Sequence, residues 1–129
     1  MRNVEDIETY LIDAGYPFER LKSSGMWRIS DDADNVDNII AVITGNVLTC
    51  QVKLFELPAQ VPANLFRRML EMNATDMVHG SFAISGDDVL LIDSLELGNL
   101  DRNELQATIE GLAMGVELAH DELSPMLNA

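Results

Sequence analysis

Cationic side chains are scarce in this sequence. Eight Lys and Arg stand against twenty-two Asp and Glu in 129 residues, a formal net charge of −14. Neutralising phosphates takes clustered Lys and Arg, and the nearest approach to a cluster is Arg67-Arg68. Nucleic acid is therefore excluded as a partner, and an anionic membrane surface is disfavoured for the same reason. Cysteine is almost absent. A lone Cys50 cannot close an internal disulfide, which suits a reducing compartment and makes the cytoplasm the expected location. No apolar run approaches the ~20 residues of a membrane helix; the best candidate, Ile39 to Ile43, has strand length. The opening residues, Met1 to Glu8, carry no apolar signal core. Pro/Gly/Ser-rich linkers, internal repeats and low-complexity tracts are lacking too, so residues 1–129 are expected to form one domain.

What is present is an ordered set of amphipathic segments. Asn3 is placed to cap a first helix in which Val4, Ile7, Leu11 and Ala14 follow at helical spacing, with acids in the first turn and Gly15 as the stop. Phe18 to Leu21 and Met26 to Ile29 read as short extended pieces around a turn at Ser23-Ser24-Gly25. Val36 to Thr44 is β-rich and apolar on both faces at its centre, which predicts an interior strand covered on both sides. Gly45-Asn46 turns it into Val47 to Leu57, where Leu48, Cys50, Val52 and Leu54 share a face. Pro58 and Pro62 lead into a second helix whose broad apolar face holds Leu65, Phe66, Met69, Leu70 and Met72. A second hairpin follows, His79 to Ser85 and Val89 to Leu97, turning at Gly86-Asp87-Asp88. Asp101 and Glu104 open a last helix with an apolar stripe through Leu105, Ile109, Leu112, Val116, Ala119 and Leu123, stopped by Pro125. The expected class is α+β, with helix, three strands, helix, two strands and helix building a twisted antiparallel sheet of about five strands.

Residues with chemistry are few and scattered. No phosphate-cradling or dinucleotide glycine motif, H-E-x-x-H or C-x-x-C occurs, so no cofactor or metal is implied. His79 and His120 have no pattern of ligands near them in the chain. The run Asp31-Asp32-Ala33-Asp34-Asn35-Val36-Asp37 invites a calcium loop. Counted from Asp32, Asp37 stands where the turn needs Gly, and Ile43 stands where a bidentate Glu is needed. Asp87-Asp88 suits a hairpin turn better than acid–base work. Cys50, on an apolar strand face, reads as a small buried hydrophobe. Asp93 interrupts an apolar face. It is either satisfied at a sheet edge or interface, or marks where that face meets solvent. Nothing assembles a catalytic set, and an enzyme is not expected.

Several of these residues also form a pattern. Leu70-x-x-Asn73, His79-Gly80-x-Phe82-x-Ile84, Val89-Leu90-Leu91-Ile92 and Leu95-x-Leu97-x-x-Leu100-Asp101-x-x-Glu104-Leu105 resemble the YbjN-like and type III secretion chaperone-like (CesT-type, class I) superfamily. A short helix ending at Gly15, a Trp27-bearing hairpin and a Pro before the second helix agree in layout. The resemblance implies an α-β-β-β-α-β-β-α fold and a homodimer. In the secretion branch it implies a chaperone that wraps an extended segment of a partner polypeptide, a secreted effector. In the YbjN-like branch it implies a regulatory or structural homodimer without client-chaperone activity.

The polypeptide-binding expectation falls on the apolar faces of the second helix and second hairpin, namely Leu65, Phe66, Met69, Met72, Phe82 and Ile84. Met26, Met69, Met72, Met77, Met114 and Met126 are either core filling or an adaptable binding surface, since Met side chains repack around varied partners.

Overall fold

Two-residue alternation along the strands decides which side of the sheet the helices cover. The computed structural model describes residues 2–22 and 24–128. The elements are α1 (Val4–Ala14), β1 (Phe18–Arg20), β2 (Met26–Asp31), β3 (Val36–Thr44), β4 (Val47–Glu56), α2 (Leu65–Thr75), β5 (Ser81–Ser85), β6 (Asp88–Glu96) and α3 (Arg102–Leu127). The strands form one sheet in the order β1-β2-β3-β4-β6-β5, with every neighbouring pair antiparallel.

The extended pieces read at Phe18 to Leu21 and Met26 to Ile29 form two separate strands, so four strands precede α2 and the sheet has six strands where about five were expected. The first of them, β1, is a three-residue edge strand pairing Phe18 with Ile29 and Arg20 with Trp27. The turn expected at Ser23-Ser24-Gly25 includes Ser23, which lies outside the described residues.

Register aligns the core rows across the sheet. Trp27, Ala41, Cys50 and Asp93 stand opposite one another in turn, and so do Ile29, Ile39, Val52, Leu91 and Phe82. All of these except Asp93 are buried. Most of the intervening residues, among them Arg28, Ile40, Gln51, Ile92 and Ser81, point to the opposite face and remain half-buried or exposed, whereas Leu90 on that face is buried. Strand β3 is therefore interior to the hydrogen-bond ladder but covered on one face only, which corrects the two-sided burial expected for it. Ile40 and Val42 keep partial contact with water because no helix lies over them.

Helix ends follow their caps. The Asn3 side chain accepts from the Asp6 N–H, and the Asp6 carboxylate accepts from the Asn3 N–H, a complete capping box. Gly15 closes α1 in the left-handed conformation, where a side chain is strained. Asp101 caps α3 through the Glu104 N–H at 2.8 Å. Pro125 does not stop α3, which runs to Leu127. A Pro in the last turn forfeits one bond, to the Asp121 carbonyl, and exposed Asp121 leaves that carbonyl open to water.

The α3 stripe buries Leu105, Ile109, Leu112, Ala119 and Leu123, while Val116 is only partly covered. Beside the stripe, Gly111 and Gly115 leave two notches. A Cβ on Gly111 would lie 2.5 Å from the His79 Cβ. One on Gly115 would lie 2.7 Å from the Met77 Cε and 2.8 Å from the Leu91 Cδ1. The connection from α2 to β5 thus seats directly on the α3 backbone.

A buried carboxylate fastens α1 to the sheet. Glu8 accepts from the Arg20 Nε at 2.7 Å, the Arg20 Nη2 at 2.8 Å and the Trp27 Nε1 at 2.9 Å. Arg20 foremost, then Trp27, hold the Glu8 carboxyl at about 2, against the opposing pull of burial. Replacing Glu8 with Ala strands the indole N–H and costs about 2–3 kcal/mol in urea unfolding at neutral pH. The sign with acid is set by the lowered pKa. The Glu8 contribution is complete above the ordinary value of 4.5 and is lost as pH falls from there to about 2. Between those limits the wild-type unfolding midpoint falls more steeply than that of Glu8→Gln.

Candidate functional site

Helix α2 splits its apolar residues between two stripes. Leu65, Met69 and Met72 step by four and three and face the core, where Leu65 and Met72 have no exposed surface and Met69 has 4%. Phe66 and Leu70, each one position further along, form a second stripe facing outward, 41% and 67% exposed. From β5, Phe82 turns inward at 8% exposure and Ile84 stays outward at 47%. Phe66, Met69, Leu70, Phe82, Ala83 and Ile84 line one apolar groove of about 220 Å³. Of the six residues expected to bind a partner, four (Phe66, Met69, Phe82 and Ile84) meet in this groove, Met69 and Phe82 forming its largely buried floor. Leu65 and Met72 lie beneath it in the core. Leu70, its most exposed wall, was absent from that set. Its signal was the four-residue step from Phe66, which defines an outward stripe once Leu65 and Met69 are assigned inward.

The groove runs along a sheet edge. Strand β5 is terminal in the sheet. The Phe82 N–H, which points away from β6, donates to the Asn73 Oδ1 at 2.7 Å. That bond ties α2 to the edge and blunts it at one residue. The pleat directs the Ile84 backbone groups the same way, two residues beyond the Asn73 cap. Charges beside the groove are paired within the chain. Arg68 reaches Glu122 at 3.0 Å and Asp76 at 3.6 Å.

A larger cavity, about 460 Å³, lies elsewhere, between the end of α1, the β2–β3 turn and α3. Tyr16, Asp31, Asp34, Glu110 and Glu117 line it, with no basic residue among its walls. Burial first, and then the carboxylates of Glu110, Asp31 and Asp34, push the Tyr16 hydroxyl up to about 12. Burial and Asp34 also raise Asp31. This is a solvated cleft of like charges around the run from Asp31 to Asp34.

The remaining candidates occupy separate places. Cys50 is wholly buried, and desolvation pushes its thiol up to about 12, which suppresses the nucleophilic thiolate. His120 meets Ser124 at 3.2 Å on the exposed side of α3. His79 lies 3.8 Å from Asp93. Among the described residues, no three His, Cys, Asp or Glu side chains converge as a metal site requires. No helix of the described residues is long and apolar enough to cross a membrane.

The sequence matches the profile of the family CesT_Tir_1 over residues 1–128. Curated proteins give no match. Solved structures do. A chain of the heterodimeric ExoU–SpcU complex from the type III secretion system of Pseudomonas aeruginosa is 16% identical at TM-score 0.62, over 93% of this chain and 96% of that one. The Yersinia pestis type III secretion chaperone SycH, solved with a stable fragment of YscM2, gives 16% and 0.64, over 89% and 97%. YbjN of E. coli, described as a putative transcription regulator, gives 12% and 0.63, over 93% and 92%. At these identities the likeness establishes the fold.

The two α2 stripes differ in their tolerance of charge. Met72→Asp buries a carboxylate in the core and lowers stability by more than about 4 kcal/mol. Leu70→Asp, on the outward stripe, stays within about 0.5 kcal/mol of wild type. Chemical denaturation of the two variants side by side checks the assignment.

Proposed function

The chain belongs to the CesT_Tir_1 family, and from that premise we propose that it is a chaperone-like module whose α2–β5 groove holds an extended segment of a partner polypeptide. The observation that carries this reading is the outward stripe of Phe66 and Leu70 beside Ile84. These are three large apolar side chains left to water in a protein with ample core to bury them. Apolar side chains of an extended segment fit between α2 and β5, and the edge of β5 beyond Asn73 offers backbone groups to the same segment. Met69 on the groove floor can repack around different occupants. The surrounding charge of −14 favours basic over acidic segments. The role is binding, not catalysis, and a soluble, cytoplasmic protein with a secreted effector as client accords with it.

Self-association belongs to the same reading. Two copies carry like charge, which salt screens over ~10 Å at 0.1 M. A homodimer driven by apolar burial therefore tightens as salt rises moderately, and peptide binding through apolar anchors persists under those conditions. The likeness to YbjN supports a second reading, a regulatory or structural homodimer with no client.

Light scattering across a salt series, followed by binding to a peptide array, separates the two. The expected result is a dimer that strengthens with salt and binds extended peptides, together with a Leu70→Asp/Ile84→Asp variant that keeps the dimer mass and loses the peptides. Loss of the dimer in that variant assigns the groove to self-association and favours the second reading. A monomer without peptide affinity overturns both.

A further inference from the structure

The three helices differ in how their N-termini are satisfied. Helix α1 has a complete capping box with Glu5 and Asp6 in its first turn, and α3 has the Asp101 cap with Glu104 behind it. Each gives the positive end of the helix dipole an acceptor and an acid. Helix α2 has neither. Its N-cap residue, Asn64, makes no side-chain bond to the helix and sits at φ +70°, in the left-handed region where a side chain is strained. No acid stands in its first turn, and Arg67 lies near that end instead. Glu71 and the C-cap residue Asp76 lie toward the negative end, where the dipole disfavours them.

The two ends of α2 are also held differently. From Pro58 to Asn64 no backbone N–H donates to another backbone carbonyl, and every residue except Pro62 is exposed. The connection that leaves α2 is instead fitted onto α3. Met77 lies against Gly115, His79 against Gly111, and Gly80 against Leu112. Between these ends the helix is fastened by the burial of Leu65, Met69 and Met72 and by the bond from the Phe82 N–H to Asn73. The Arg68–Glu122 pair, with side chains 34% and 47% exposed, adds little. Eleven residues do not hold a helix in water by themselves.

We propose that α2 is a flap. It lifts off β5 and unwinds from its Asn64 end while α1, α3 and the sheet stay folded, and the connection seated on α3 is the fixed side of the hinge. Opening releases the Phe82 N–H from Asn73 and uncovers the Phe82 side chain. A segment docked beside Ile84 then gains the rest of the β5 edge. That consequence rests on the reading of the groove as a docking surface; the flap does not.

Hydrogen exchange of the full chain at neutral pH, repeated at rising sub-denaturing urea, tests the flap. Amides of residues 68–76 should exchange together, with about tenfold less protection than those of residues 109–119 in α3 and with the weak urea dependence of a local opening. Arg67 and Glu71 are exposed and 3.9 Å apart. Exchanging them, as Arg67→Glu with Glu71→Arg, preserves composition and pairing but turns both charges to suit the dipole. Protection of residues 68–76 should then rise about threefold, with α1 and α3 unchanged. Exchange of α2 in step with α3, or no gain in the double variant, overturns the proposal. The affinity of the double variant for peptides selected on the array isolates the other reading. A gain in protection with a matching loss of affinity joins flap and groove, whereas a gain with affinity unchanged supports the flap and removes only its link to the groove.

Discussion

A sheet with helices on one face cannot treat its alternate residues alike, and that asymmetry governs this structure. The rows through Trp27, Ala41 and Cys50 and through Ile39, Val52 and Leu91 meet α3 and α1 and form the core. The rows through Ile40, Gln51 and Ile92 meet water at least in part. Because no second helical layer among the described residues closes the sheet, α2 has to find its cover at the β5 edge, and an eleven-residue helix placed there buries only one of its two apolar stripes. The exposed groove results from the layer count more than from any single residue.

Much of this was legible in the chain. Caps at Asn3, Gly15 and Asp101, the hairpin at Gly45-Asn46 and the stripe of α3 are local signals, and each element formed where its signal stood. The misreadings arose where local pattern is silent. The piece from Phe18 read as extended but was not counted as a strand of its own, because three residues are too short to show alternation and the place of β1 was set by pairing with β2. The apolar run of β3 looked covered on both sides because Ile40 and Val42 are as hydrophobic as Ile39 and Ala41. Composition cannot say that no helix lies over them. Pro125 reads as a stop, yet in a last turn it removes only one bond.

The candidate site was half visible for a similar reason. Helical spacing grouped Leu65, Phe66, Met69, Leu70 and Met72 on one broad face, whereas the core takes positions stepping from Leu65 and leaves those stepping from Phe66. Which of two adjacent stripes goes inward depends on where β5 lies, and that is a tertiary fact. Asp93 was recognisably out of place on its strand, but its partners, His79 and Thr108, come from other elements fourteen and fifteen positions away. No window along the chain would join them.

The paired notches of α3 bear on how this chain can change over generations. Gly111 and Gly115 are one helical turn apart, so they face the same direction and receive His79 and Met77 as a key is received by two wards. Each residue added to a helix rotates the rest of that helix by about 100°. A one-residue insertion or deletion between Asp101 and Gly111 would swing both notches and the Leu112–Leu123 stripe off their partners together. Length changes should therefore be confined to the connections outside α3, and the helix should drift by substitution alone, with its two glycines acting as the fixed marks of its phase.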